Sequence, residues 1–96
     1  MTTFNTAFLL LAQYQGRAVI PLELVRRDYF LHMTINSLLR KTTLGELALP
    51  IVRIEDSQKA AKGVHLSDLA LYIDARVAAA RKECEQLTGE KFPDGR

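Results

Sequence analysis

Between Pro21 and Gly45 the chain carries two short helical patterns with only a few residues between them, and this spacing constrains the fold more than any other feature. Proline has no N–H to donate and a fixed φ. It therefore suits a first helical turn and holds the residue before it extended. A helix is predicted from about Leu22 to Phe30, in which Leu22, Val25, Tyr29 and Phe30 recur at helical spacing while Glu23, Arg26 and Arg27 face elsewhere. After Leu31, His32 and Met33, Thr34 is placed to cap a further helix of about Ile35 to Leu44, closed by Gly45. Its apolar stripe is Ile35, Leu38 and Leu39, which leaves Asn36, Ser37, Arg40, Lys41 and Thr43 outward.

The flanking segments complete the pattern. Upstream, Asn5 can cap a first helix of about Thr6 to Gln15 with Gly16 as its stop, and Phe8, Leu9, Leu11 and Ala12 are its expected buried stripe. Arg17 to Pro21 reads as a short extended lead into the second helix. Downstream, Leu49 to Ile54 and Gly63 to Leu66 look like two strands joined by a polar tip from Glu55 to Lys62. Ser67 is the expected cap of a long last helix, Asp68 to about Thr88, with Asp68 favouring the helix dipole and Gly89 as the stop.

The expected fold is thus mainly α, of the α+β class: a winged helix-turn-helix with a small β-hairpin wing and a long C-terminal helix. With 96 residues the chain can build one modest core and no second one. A single DNA-binding domain is expected over residues 1–89, its last helix at 67–88 available for dimerisation, with a flexible tail at 90–96.

Charge and chemistry narrow the function. The net charge is +2, mildly basic, so any DNA-binding reading depends on where the cations sit. From Arg17 to His65 there are eight Lys or Arg against five Asp or Glu, a local +3. One cysteine, Cys84, excludes an intramolecular disulfide and gives no thiolate cluster, and the two histidines are far apart, so no metal and no cofactor are expected. No Ser/His/acid arrangement or phosphate-cradling glycine spacing suggests catalysis, and an enzyme is not expected. His32 and His65 read as structural, His65 by satisfying a neighbouring backbone group, and Asp68 and Asp74 read as capping and solubilising residues. The longest apolar run, Ala7 to Ala12, is too short to span a membrane and no basic leader precedes it, so the chain is read as cytoplasmic and nucleoid-associated.

In a winged helix-turn-helix the third helix enters the major groove and the wing grips backbone or minor groove. Asn36 can pair with an adenine edge, Arg40 or Lys41 with guanine, and Ser37 and Thr43 with phosphates or bases, although the same residue types also suit a solvated helix face. Arg53, Ser57, Gln58, Lys59 and Lys62 are the corresponding wing residues, with an ordinary surface turn as the alternative. Arg26 and Arg27 either clamp phosphate, pair with Glu23 or stay solvated.

In the last helix Leu66, Ala70, Ile73, Val77, Ala80, Cys84 and Leu87 alternate at intervals of four and three, a heptad seam. Ile73, Val77, Ala80, Cys84 and Leu87 are the expected homodimer contacts, with simple core packing as the alternative, and a dimer implies a two-part DNA site.

The segments Asn5-Thr6-Ala7-Phe8-Leu9-Leu10, Ala12-Gln13-Tyr14, Ala18-Val19-Ile20-Pro21-Leu22, Asp28-Tyr29-Phe30, Leu39-Arg40-Lys41, Gly45-Glu46, Leu49-Pro50, Val52-Arg53, Ser57-Gln58-Lys59 and Gly63-Val64-His65-Leu66 resemble, in order and approximate spacing, the pyocin activator proteins of the PrtN family. Asp68-Leu69-Ala70 continues the likeness, which spans residues 5 to 80 and departs at Leu31 to Ser37. The resemblance implies a transcription activator that binds double-stranded promoter or operator DNA, engages RNA polymerase or reshapes the promoter, and switches on bacteriocin or phage-related genes. It carries over at Arg40, Lys41, Gln58 and Lys59. The hairpin region also resembles small excisionases and MerR-type winged domains, so a DNA-bending recombination factor is the first alternative, and a phage protein-interaction module the second.

Overall fold

The computed structural model describes residues 5–92, and its element order is α1 (Thr6–Gln13), β1 (Val19–Pro21), α2 (Leu22–Tyr29), α3 (Ile35–Thr43), β2 (Val52–Arg53), β3 (Lys62–His65) and α4 (Leu66–Thr88). This is the α+β class expected from the sequence, with the helices and hairpin in the expected order and one strand more, β1. The sheet is antiparallel throughout, with β3 in the centre between β1 and β2.

Helix ends follow local chemistry. The Asn5 side chain accepts from the Phe8 N–H at 2.7 Å and that of Thr34 from the Ser37 N–H at 3.1 Å, each satisfying a first-turn amide with no helical partner. Gly89 ends α4 in the left-handed region at φ 78°, where glycine pays no Cβ penalty. The start of α4 differs from expectation: the cap is His65, whose Nδ1 accepts from the Ser67 N–H at 3.2 Å, while the Ser67 hydroxyl lies 2.7 Å from that same nitrogen. The helix begins two residues earlier than predicted because Leu66 closes onto the Ala18 carbonyl at 2.8 Å, tying it to the chain ahead of β1. His65 thus has the structural role the sequence suggested.

The core is Leu10, Tyr14, Ile20, Leu22, Val25, Phe30, Leu38, Leu49, Val64, Leu69 and Ala70. The expected stripe of α1 is corrected. Phe8, Leu9 and Leu11 are exposed at 52%, 53% and 45%, Ala12 is also exposed, and Leu10 and Tyr14 point inward. α1 is apolar almost all round, so its own periodicity does not choose a face; packing against α4 does. Tyr29, expected inside, sits at the rim at 37% exposure.

Arg17 to Pro21, predicted only as an extended lead, supplies the edge strand β1, paired with β3 through Val19↔His65, Ile20↔Val64 and Pro21↔Gly63. An edge position tolerates Pro21, which cannot donate to a ladder. The approach is close at Gly63, where a Cβ would lie 2.6 Å from the Ile20 carbonyl oxygen and 2.7 Å from Val19 Cγ1. The hairpin strands are shorter than predicted, since Leu49 to Ile51 stay irregular with Leu49 buried as a core plug.

A polar cluster fixes α1 to α2. The Tyr14 hydroxyl donates to Asp28 Oδ2 at 2.6 Å, Gln13 Nε2 donates to the same oxygen at 3.4 Å, and the Tyr29 hydroxyl donates to Gln13 Oε1 at 3.1 Å. Burial first, and then the Asp28 carboxylate, push the Tyr14 hydroxyl pKa well up. Hydrogen bonds from Arg27 and then Tyr14 hold the Asp28 carboxyl below its ordinary value. At the other end of α1 the Thr6 hydroxyl donates to Asp74 Oδ1 on α4. Of the tail expected at 90–96, residues 93–96 lie outside the described residues, and the Phe92 N–H donates to Glu85 Oε2 at 2.8 Å.

Candidate nucleic-acid interface

α3 is seated by the turn before it. Phe30 is buried, the Met33 N–H donates to the Phe30 carbonyl at 2.9 Å, and Arg26 Nη1 donates to the Met33 carbonyl at 3.0 Å. Arg26 is also paired with Glu23, Nη2 to Oε1 at 2.7 Å, and its hydrogen bonds keep the Glu23 carboxyl below the usual range. Arg27 is paired with Asp28, Nε to Oδ1 at 2.8 Å. Arg26 therefore takes the pairing with Glu23 that the sequence left open, whereas Arg27 pairs with its neighbour Asp28 instead. Arg26 fixes the turn that orients α3, a job its sequence neighbours did not reveal.

Within α3, Leu38 is fully buried and Ile35 and Leu39 pack partly against the core. At about 100° per residue, Asn36, Arg40 and Thr43 fall within roughly 60° of one another on the arc opposite Leu38, Ser37 lies about 60° from Arg40, and Lys41 falls beside Leu38 at the edge of the buried face. Asn36, Ser37, Arg40 and Thr43 are exposed, and Lys41 is half-buried. The Ser37 hydroxyl is engaged by Thr34, which donates to it at 3.1 Å, so Ser37 serves the cap as well as the surface. Among the described residues neither Arg40 nor Lys41 forms a salt bridge.

The hairpin tip is an ordered turn. The Ile54 N–H bonds to the Ala61 carbonyl at 3.1 Å, the Ala60 N–H to that of Ser57 at 3.1 Å, and the Ser57 hydroxyl accepts from the Lys59 N–H at 3.2 Å. Ser57 is thereby spent on the turn. Gln58 and Lys59 are exposed, and Gln58 holds Lys62 through its carbonyl, to which Lys62 Nζ donates at 2.9 Å. Lys62, expected in the loop, opens β3 and pairs with Arg53 in register. Paired residues project from one sheet face, so two cations stand side by side with no salt bridge among the described residues, a destabilising neighbourhood that an anion would relieve. The sequence reading missed this juxtaposition, because register depends on how many residues the tip consumes and not on residue type.

The expected homodimer contacts divide. Ile73 packs partly against the core, Cys84 is half-buried, and Val77, Ala80 and Leu87 are exposed, Val77 at 39% and Leu87 at 79%. Among the described residues no group of three His, Cys, Asp or Glu could hold a metal ion, and no helix is long and apolar enough to cross a membrane.

A family model described as pyocin activator protein PrtN matches residues 6–80. No curated protein and no solved structure gives a significant match. The matched span runs from the start of α1 through α3 and the hairpin into the middle of α4, taking in every position considered above for DNA and leaving out Cys84 and Leu87. By that span, most of its length, the chain belongs to the pyocin activator protein PrtN family.

Proposed function

We propose that this protein is a sequence-specific double-stranded-DNA-binding transcription activator of pyocin-like or phage-related genes. α2, the turn at Phe30 to Met33 and α3 form its helix-turn-helix, and the β2–β3 hairpin forms its wing. The observation that carries the reading is the outward arc of α3, where Asn36, Arg40 and Thr43 stand one turn apart opposite the buried Leu38, with the Arg40 guanidinium in no ion pair among the described residues. That stripe offers an amide for an adenine edge and a fork of donors for guanine O6 and N7 in a major groove. The paired Arg53 and Lys62, with Lys59 at the tip, supply phosphate contacts that fix register and carry no sequence information. A promoter-bound activator acts by engaging RNA polymerase or by reshaping the promoter, and the family membership favours this role over recombination.

The test is selection of duplexes from a random library by the full chain, followed by affinity for the winning site across salt concentrations. A defined motif whose affinity falls steeply with salt is expected, because each neutralised phosphate releases about one counterion. No enrichment, with weak and salt-insensitive binding, would remove the DNA reading.

A further inference from the structure

We propose that two copies of this chain associate through the second half of α4 as an antiparallel helix pair, independently of DNA. α4 has 23 residues and so runs about 34 Å in a molecule whose longest extent is 49 Å. Its packing on the rest of the fold ends early: Leu69 and Ala70 are buried, Tyr72 and Ile73 partly so, and every residue from 74 to 83 is exposed. The heptad seam nevertheless continues through Val77, which borders the body at 39% exposure, the exposed Ala80 and Leu87, and the partly sheltered Cys84.

The charges beside the seam select the orientation. With Val77 and Cys84 at a and Ile73, Ala80 and Leu87 at d, the flanking g positions are Arg76 and Glu83 and the e positions are Asp74 and Arg81. In an antiparallel pair a layers meet d layers and like flanks meet: Val77 packs on the partner's Ala80 and Ile73 on the partner's Cys84. Arg76 then faces the partner's Glu83 and Arg81 faces the partner's Asp74. Twofold symmetry repeats each contact, giving four opposite-charge pairs. A parallel pair instead sets Arg76 against the partner's Arg81 twice, a like-charge contact.

A groove of about 520 Å³ opens beside this helix, lined among others by Phe30, Met33, Leu47, Tyr72, Ile73 and Val77. In the antiparallel register the partner's Ala80 and the partner's Cys84 come level with Val77 and Ile73, two of the residues that line this groove. The small Ala80 in the central layer lets the two helices approach closely. The occupant is therefore a second copy, chosen by charge complementarity along the seam.

Sedimentation equilibrium of the full chain at micromolar concentration is expected to show a dimer of the 10.8 kDa protomer. Arg76→Glu should weaken it by about tenfold, since both Arg76 pairs turn repulsive, and adding Glu83→Arg should restore it. The circular-dichroism melt of each variant at monomeric concentration confirms that it folds. A monomeric wild-type chain overturns the proposal, a double variant no tighter than Arg76→Glu overturns the charge pairing, and an Arg76→Glu dimer tighter than wild type means the helices run parallel. Oxidation gives a second readout. In the antiparallel pair Cys84 and the partner's Cys84 lie about 16 Å apart along the axis, too far for a disulfide, so wild type should not cross-link while Ile73→Cys should. Cross-linking of wild type through Cys84 would overturn the orientation.

Discussion

The two halves of α4 are one unbroken helix held by different forces. From Leu66 to Ile73 it lies on α1 and the sheet, with Leu69 fully buried; Asp74 still accepts from Thr6 of α1 and Val77 still borders the body, but every residue from 74 to 83 is exposed, and beyond them only Cys84 and Glu85 are half-covered. The near half is set by burial. The far half rests on good helix formers, Ala78, Ala79, Ala80, Arg81 and Lys82, and on the Gly89 stop. A short isolated helix is marginal in water, so the far half marks either the least stable part of the molecule or a surface that gains its packing elsewhere.

Several measurements can break or sharpen that contrast. The largest effect is expected from Leu69→Ala, about 3 kcal/mol from lost burial and a cavity, against under about 0.5 kcal/mol for Leu87→Ala at monomeric concentration, both read from urea midpoints. Equal costs would mean that the far half packs on its own chain. Gly63→Ala comes next, at about 2 kcal/mol, because a methyl group must displace the backbone at Ile20 and loosen the sheet from which α4 springs.

Tyr14→Phe should cost about 1 kcal/mol by removing the bond to Asp28 that clamps α1, and through α1 the near half of α4. It should also change the pH profile of stability. The Asp28 carboxyl is held low in the fold, so its stabilisation is present above the ordinary carboxylate value and is lost as pH falls below about 4. Tyr14 is held high, so its stabilisation is present below about pH 10 and is lost above it. In Tyr14→Phe the acid limb should shrink and the alkaline loss should fall to the part that Tyr29, also held high by burial, supplies. Gly89→Ala should cost about 1 kcal/mol or less, confined to the far half and visible as faster amide exchange near Thr88 with the Leu69 amide unchanged. Slower exchange across Val77 to Leu87 at higher protein concentration would show that half gaining a partner.

The sequence makes legible what local chemistry decides. Thr34, Gly45 and Gly89 mark helix ends through groups that act within a turn, and α2 and α3 run within a residue of their predicted ends. What depends on distant neighbours is not legible. The same four-and-three spacing runs through Ala70 and Leu87, one buried and one exposed, because periodicity records a face and not what lies against it. Likewise the inward turn of Leu10, the enlistment of Val19 to Pro21 as a strand and the pairing of Arg53 with Lys62 follow from packing and register across the chain. At the proposed DNA surface, α3 is readable because its exposed arc opposes an apolar stripe. Arg26 is not, because its bond to the Met33 carbonyl needs the turn to exist first.

The central claim is that the outward arc of α3 reads base sequence and the hairpin holds phosphate. The direct measurement is the affinity of Arg40→Ala and Lys59→Ala for the selected duplex and for its single-base variants, across salt. Arg40→Ala should lose about 1–3 kcal/mol and its preference at one base pair, whereas Lys59→Ala should weaken all duplexes alike and lower the salt slope by about one. If both variants bind every duplex as the wild type does, α3 and the hairpin are not the reading surface.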